Sequence, residues 1–107
     1  MIVNVSGVLP KQEDMVISPI IGTLEHAEET EEGLRFICKT KSGYYVSVDV
    51  TETEMIASIR GLTIIIKGEY LERANGHYRI YDKLENTYAN LDVGPDDAFR
   101  LAFEVRT

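Results

Sequence analysis

Carboxylates are the residues of this sequence with the most evident capacity for chemistry. Between positions 25 and 33 (EHAEETEEG), five of nine residues are glutamates, namely Glu25, Glu28, Glu29, Glu31 and Glu32. Carboxylates at this density attract basic surfaces and accelerate encounters with them. His26 lies inside the run, but without a second ligand at suitable spacing it does not predict a metal site. We therefore expect either a solvated loop or an acidic surface that faces a basic partner, with no metal or cofactor.

The other reactive side chains do not form a catalytic pattern. Cys38 falls on the apolar face of an alternating segment, and the sequence places no base to activate its thiol, so we expect a buried core cysteine. Asp49, Glu52 and Glu54 are close in sequence, but a catalytic pair needs matched distances and separated pKa values. The sequence shows no Gly-rich phosphate loop, paired-histidine motif or serine-centred elbow. These observations argue against an enzyme.

Composition indicates a single domain over residues 1–107. With 44% hydrophobic residues, the chain is able to build one core. It contains no apolar run of about 18 residues, so we expect no membrane span. Met1 to Leu9 lacks the basic and long apolar regions of a signal peptide, and one cysteine cannot form an internal disulfide, which together favour a cytoplasmic setting. The formal net charge of −7 disfavours binding to a phosphate backbone.

The stretch from Gly61 to Tyr81 gives the clearest structural pattern. Its first half alternates, with Leu62, Ile64 and Ile66 on one face and Ile65 as the apolar exception on the other. Asn75-Gly76 then supplies two residues that tolerate positive φ, as a tight hairpin turn requires. The return strand places Tyr78 and Ile80 on one face. We predict a β-hairpin over this stretch.

Segments nearer the N-terminus predict further strands. Met1 to Leu9 is typical of a short strand, and Met15 to Leu24 predicts a strand that Pro19 either bends or confines to an edge. Leu34 to Thr40 and Tyr44 to Val50 alternate in polarity across a short turn, which predicts a second hairpin. The domain is therefore expected to be mainly β.

One helix is predicted between two of these strands. Thr51 and Glu54 have capping-box spacing. Met55, Ile56 and Ile59 follow with apolar spacing i, i+1, i+4, and Gly61 ends the pattern. These signals indicate a short helix of about two turns.

The C-terminal third is less regular. Asp82 to Val93 is polar and predicts no element, and Gly94 to Asp97 predicts a turn. Phe99, Leu101, Phe103 and Val105 alternate with polar residues and Ala102, which favours a closing strand. A helix starting at Pro95 is the alternative. An exposed closing strand would also make a homodimer possible.

From about Met15 to Tyr81, the order of elements resembles the OB-fold, a five-stranded Greek-key barrel. The resemblance is carried by the helix between the third and fourth strands and by the run GLTIIIKG, Gly61 to Gly68, which looks like the fourth-strand pattern of that fold. The predicted class is mainly β, a small OB-like barrel of about five to seven antiparallel strands with one short helix. A generic small barrel, or a curved sheet packed on one helix, is the alternative.

The resemblance implies a ligand face on the second and third strands, flanked by the loops Glu25 to Gly33 and Glu72 to His77. Tyrosines and histidine there would stack on bases, and basic side chains would contact phosphates. The residues so assigned are Arg35, Lys39, Tyr45, Arg73, His77, Arg79 and Tyr81.

Two functions are compatible with these patterns. The favoured prediction is a non-enzymatic acidic module that binds a protein with a basic surface, as a subunit, inhibitor or immunity-type protein, through the five glutamates. The alternative is an OB-like domain that binds single-stranded nucleic acid through the basic, tyrosine-bearing strands. We favour the first because carboxylates in one of the two binding loops would repel a phosphate backbone.

Overall fold

The described part of the chain forms one antiparallel β-sheet of nine strands. The computed structural model describes residues 16–105, with side chains from Pro19 onwards, and the strand predicted for Met1 to Leu9 lies outside this range. The strands are β1 (Val16–Glu29), β2 (Gly33–Thr40), β3 (Tyr45–Thr51), β4 (Glu54–Ile59), β5 (Leu62–Lys67), β6 (Glu69–Ala74), β7 (His77–Asp82), β8 (Thr87–Val93) and β9 (Ala98–Val105). A 3₁₀ turn, Pro95–Asp97, precedes β9.

The sheet has two arms that meet at β1. Its strand order is β5-β4-β3-β2-β1-β9-β8-β7-β6. Each arm is a meander of sequential hairpins, and among the nine described strands only the β1–β9 pair joins strands that are distant in sequence. The two terminal strands, β5 and β6, are consecutive in the chain and are separated by Gly68 alone. The sheet is therefore open, although a single run of chain supplies both of its edges.

The two arms curve towards each other and enclose the core. β5 packs against β7 and β8, and the Tyr70 hydroxyl of β6 donates a hydrogen bond to the backbone oxygen of Glu54 in β4, at 2.9 Å. Burial raises the pKa of Tyr70 to about 12. The arrangement is barrel-like, and the side chain of Tyr70 spans part of the gap between the arms.

Alternate residues of the strands form the core, as expected for a sheet with one covered face. The rings of Phe36 and Tyr78 contact each other across it, with centroids 5.5 Å apart. The largest fully buried side chains are Phe99, Phe103, Met55, Ile64, Ile66, Ile80, Leu91, Leu101, Val46, Val48, Val105 and Thr87.

The helix predicted after Thr51 is wrong, because this segment is the turn into strand β4. The Thr51 hydroxyl accepts hydrogen bonds from the backbone N–H groups of Thr53 (3.4 Å) and Glu54 (3.1 Å). The capping-box signal therefore belongs to a hairpin turn, in which a threonine makes the same type of hydrogen bond. In β4, Met55, Ala57 and Ile59 are buried at alternate positions. The alternation was not recognised in the sequence because the middle buried residue, Ala57, has a small side chain with a weak hydrophobic signal.

The predicted OB-like barrel of about five to seven strands is also wrong. Residues 16–105 contain nine strands in an open sheet and no helix apart from the 3₁₀ turn. The segment from Asp82 to Val93, predicted to be irregular, contains β8, in which Thr87, Ala89 and Leu91 are buried. The hairpin predicted for Gly61 to Tyr81 is confirmed only from β6 onwards, because the chain changes arms at Gly68 and its first half is two strands, β5 and β6.

Other sequence predictions are confirmed. β2 and β3 form the expected hairpin, Asn75 and Gly76 adopt φ values of +54° and +80° between β6 and β7, and β9 is a strand. Pro19 lies at a register irregularity between β1 and β9, in a part of β1 that precedes the pairing with β2, which begins at Gly22. β9 pairs with both β1 and β8, so it is not an exposed edge for dimerisation.

Within residues 16–105, no helix has the length and apolarity to cross a bilayer.

Candidate functional site

A cleft of about 480 Å³ opens where the β1–β2 turn, the end of β3 and the β6–β7 hairpin meet. Among the described residues that line it, Leu34, Val50 and Tyr78 are apolar and Arg73 alone is basic. Four carboxylates surround these residues, on Glu29, Glu31, Glu32 and Glu52. We call this opening the acidic cleft. The two loops that the OB resemblance paired, Glu25 to Gly33 and Glu72 to His77, both contribute residues to it or to its flanking hairpin.

A tight turn places the carboxylates at the acidic cleft. The backbone N–H of Thr30 donates to the oxygen of Gly33 at 2.8 Å, and the N–H of Gly33 donates to the Thr30 hydroxyl at 3.0 Å. A Cβ atom at Gly33 would lie 2.0 Å from the backbone oxygen of Val50, so only glycine allows this approach of the turn to β3. The predicted acidic loop is thus mostly strand, because β1 continues to Glu29.

The five predicted glutamates do not share one surface. Glu29, Glu31 and Glu32 line the acidic cleft. Glu28 pairs in register with Arg35, and its Oε1 lies 3.1 Å from Nε2 of His26. Glu25 borders a separate shallow groove with Lys39 and Lys41. The register of β1 and β2 shifts between Leu24 and His26, and this irregularity interrupts the alternation that the sequence alone would predict.

Two residues of the acidic cleft were not predicted to belong with the glutamates. Glu52 lies in the β3–β4 turn, where the sequence predicted the start of a helix and no binding site. Arg73 was assigned to a nucleic-acid face, but it pairs with Tyr78 and lines the acidic cleft. Its guanidinium carbon lies 5.6 Å from the ring centroid of Tyr70, at a distance typical of a cation–π contact. Only their positions in the folded sheet bring these residues together.

The predicted nucleic-acid face is divided between the two arms. On the β2–β3 hairpin, Lys39 lies over the Tyr45 ring at 5.9 Å, and Nε of Arg35 donates to Asp49 at 2.7 Å. This hydrogen bond and the negative charge of Asp49 raise the pKa of Arg35 above its ordinary value. Arg79, Tyr81 and His77 lie on β7 in the other arm, and strands β1, β9 and β8 separate the two groups in the sheet.

The aromatic residues of β7 and β8 contact one another. Tyr81 and Tyr88 are stacked with centroids 4.6 Å apart, and Arg79 lies 5.0 Å from the centroid of Tyr88. The Tyr81 hydroxyl donates to Oδ1 of Asn86 at 3.2 Å. One face of Tyr81 is therefore covered by a neighbouring ring. Tyr88 was not predicted to take part because β8 itself was missed.

His77 and Asp92 form an exposed ion pair across the β7–β8 pair. Nδ1 of His77 lies 2.7 Å from Oδ1 of Asp92, and Nη1 of Arg100 lies 4.0 Å from Oδ2 of the same carboxylate. The hydrogen bond to Asp92 raises the pKa of His77 above 6.5, aided by the charges of Asp92 and Glu72 and opposed by desolvation. The imidazolium form donates to the carboxylate in this geometry.

We expect Asp92→Asn to lower the pKa of His77 towards 6.5, because it removes the charged acceptor. A raised native pKa means that the pair stabilises the fold fully below pH 6.5 and loses this contribution as pH rises through the native pKa. The shift is measured by NMR titration of the His77 ring protons. Glu28→Gln, which alters the contact of His26, is the control and should leave the pKa of His77 unchanged. An equal pKa in wild type and Asp92→Asn would contradict the expectation.

The cysteine does not contribute a nucleophile. Cys38 is 0% exposed, and burial raises the pKa of its thiol to about 12. The prediction of a buried core cysteine is confirmed. Among residues 16–105, no group of three or more His, Cys, Asp or Glu side chains is arranged to hold a metal ion.

No protein-family model, curated protein or solved structure matches this chain. No residue role is therefore transferred from a relative. The function is inferred from the acidic cleft and the strands around it.

Proposed function

We propose that the protein is a non-enzymatic acidic binding module that recognises a protein partner through a basic surface. It would act as a subunit, an inhibitor or an immunity-type protein. The observation that supports this proposal is the acidic cleft, in which four carboxylates and one guanidinium surround an apolar lining. A partner that places basic side chains between these carboxylates would gain both charge contacts and apolar contacts.

The charges of the acidic cleft favour encounter and selection of such a partner. Complementary potentials raise association rates and exclude partners of the same sign. The formal net charge of −7 adds a long-range attraction for basic proteins. Leu34 is partly exposed in the cleft and offers apolar surface on which the aliphatic stem of a lysine or arginine is able to pack, whereas Val50 and Tyr78 form its buried floor. Binding is therefore expected to weaken as salt rises.

The test compares two double variants with the same charge change. Glu31→Lys with Glu32→Lys alters the acidic cleft, whereas Glu25→Lys with Glu28→Lys alters β1 outside it. Each pair adds four charges to the formal −7, giving −3. We expect capture of basic proteins from host lysate, quantified by mass spectrometry, to fall at least about tenfold for the cleft variant and much less for the control.

Circular dichroism of both variants checks that the fold is retained. Equal capture by the two variants would show that only net charge matters and would remove the acidic cleft from the proposal. Capture that does not change with salt would also contradict it. Binding of single-stranded nucleic acid stays a prediction, which the division of its assigned residues between two arms does not favour.

A further inference from the structure

Strand β6 has one unpaired edge within the described sheet. It is the last strand of its arm and pairs only with β7. All of its side chains are exposed except that of Tyr70, which is half-buried. Leu71 is 53% exposed and lies at the register irregularity between Tyr70 and Glu72. An unpaired strand edge presents backbone N–H and C=O groups to which another extended chain is able to bind.

The hairpin register shows which backbone groups face this edge. Ala74 and His77 flank the two-residue turn Asn75-Gly76, and the flanking residues of such a turn exchange hydrogen bonds with each other. Because hydrogen-bonded and non-hydrogen-bonded pairs alternate in antiparallel sheets, the next pair, Arg73 with Tyr78, is non-hydrogen-bonded. The N–H and C=O groups of Arg73 therefore point away from β7, towards the unpaired edge.

The same part of β6 borders the acidic cleft. Arg73 lines the cleft together with Glu29, Glu31, Glu32 and Glu52. Nearer the start of β6, the hydrogen bond from Tyr70 to Glu54 connects the strand to β4. The accessible part of the edge is thus its C-terminal half, and it faces the carboxylates.

We propose that the acidic cleft takes an extended, basic segment of a partner protein, which adds as a strand to the edge of β6 at Arg73. This inference rests on the proposed function and specifies how the partner binds. Side chains of an added strand alternate between the two faces, so every second residue would point into the cleft, where a lysine or arginine meets the glutamates. A second copy of this chain is the poorer occupant, because its own charge of −7 would be repelled.

Two substitutions at one position separate the backbone from the side chain. Arg73→Pro removes the N–H at the unpaired edge without removing a β6–β7 hydrogen bond, and proline is tolerated at such edge positions. Arg73→Ala removes the same side chain and keeps the N–H. The probe is a short capped peptide of alternating lysine and threonine, titrated by fluorescence anisotropy at low salt. We expect Arg73→Ala to bind it at least as tightly as wild type and Arg73→Pro to bind it at least about tenfold more weakly.

Amide hydrogen exchange of the wild-type protein gives a second readout that does not depend on the folding of Arg73→Pro. The peptide should slow exchange of the Arg73 amide and leave that of Ala74, which is already bonded to His77, unchanged. A peptide of the same sequence with alternate amides N-methylated should bind poorly, because it cannot form the ladder.

The outcomes distinguish the mode of binding from the proposed function. Peptide binding that is lost in Glu31→Lys with Glu32→Lys but equal in Arg73→Pro and Arg73→Ala, with unchanged exchange at Arg73, would overturn strand addition and leave the proposed function standing. No loss in any of these variants would overturn both. Absence of peptide binding, or a concentration-dependent dimer that protects the Arg73 amide without peptide, would overturn strand addition.

Discussion

Replacing Gly68 by alanine is expected to lower the free energy of unfolding by at least about 3 kcal/mol, among the larger effects of a single substitution. A Cβ atom at this position would lie 1.8 Å from the backbone oxygen of Tyr81 and 2.7 Å from its carbonyl carbon. Both are backbone atoms of a paired strand, so they cannot rotate away as a flexible side chain would. The N–H of Gly68 also donates to the oxygen of Thr53 at 3.1 Å, which fixes the corner from the other arm.

Gly94→Ala is the matched control for this experiment. No atom lies within 4 Å of a Cβ at Gly94, and its φ of −98° suits any residue. Its effect on the free energy of unfolding should be within about 1 kcal/mol. Urea denaturation followed by circular dichroism measures both variants. Similar unfolding midpoints for the two alanine variants would show that the chain passes from one arm to the other without the close contact at Gly68.

Phe99→Ala should reduce the free energy of unfolding by about 3–5 kcal/mol, because it removes a large core side chain and leaves a cavity. Phe99 is 2% exposed and lies on β9 between its register partners Gly22 of β1 and Val93 of β8. The cavity left by this substitution would therefore lie where the two arms join, at the β1–β9 pair. A domain of this size has a total stability of about 5–15 kcal/mol, so partial unfolding at room temperature is within the expected range.

Leu84→Ala provides the comparison for Phe99→Ala. Leu84 is 91% exposed in the β7–β8 turn, so its truncation should change stability by less than about 0.5 kcal/mol. Phe99→Leu should fall between the two, since leucine refills part of the space. Equal destabilisation by Phe99→Ala and Leu84→Ala in urea denaturation would contradict the position of Phe99 in the core.

Strands with large apolar residues at every second position were predictable from the sequence. Val46, Val48 and Val50 define β3 in this way, as do Phe99 and its alternate neighbours in β9. β8 was missed because two of its buried positions are Thr87 and Ala89, whose side chains carry little hydrophobic signal. The β4 error has the same origin at Ala57. A buried small residue is recognised only from the strands that cover it.

The acidic character of the candidate site was predictable, but its composition was not. The sequence places glutamates together between positions 25 and 33, yet the register shift between Leu24 and His26 and the tight turn at Thr30 decide which of them reach the acidic cleft. Local alternation does not encode where such an irregularity occurs. Glu52 and Arg73 join the site through pairing of β3 and β6 with other strands, and no short sequence pattern reports those contacts.

The arrangement of the two arms has a consequence for how the chain folds. In residues 16–105, every pairing except β1–β9 joins strands that are consecutive in sequence, so most contacts close short loops at small entropic cost. The β1–β9 pairing, in which Val16 meets Glu104, instead closes a loop that contains almost the whole described chain. Because contacts between distant residues slow folding, the two meanders are expected to form as local units. Their union through β1 and β9 would then be the step that limits the folding rate.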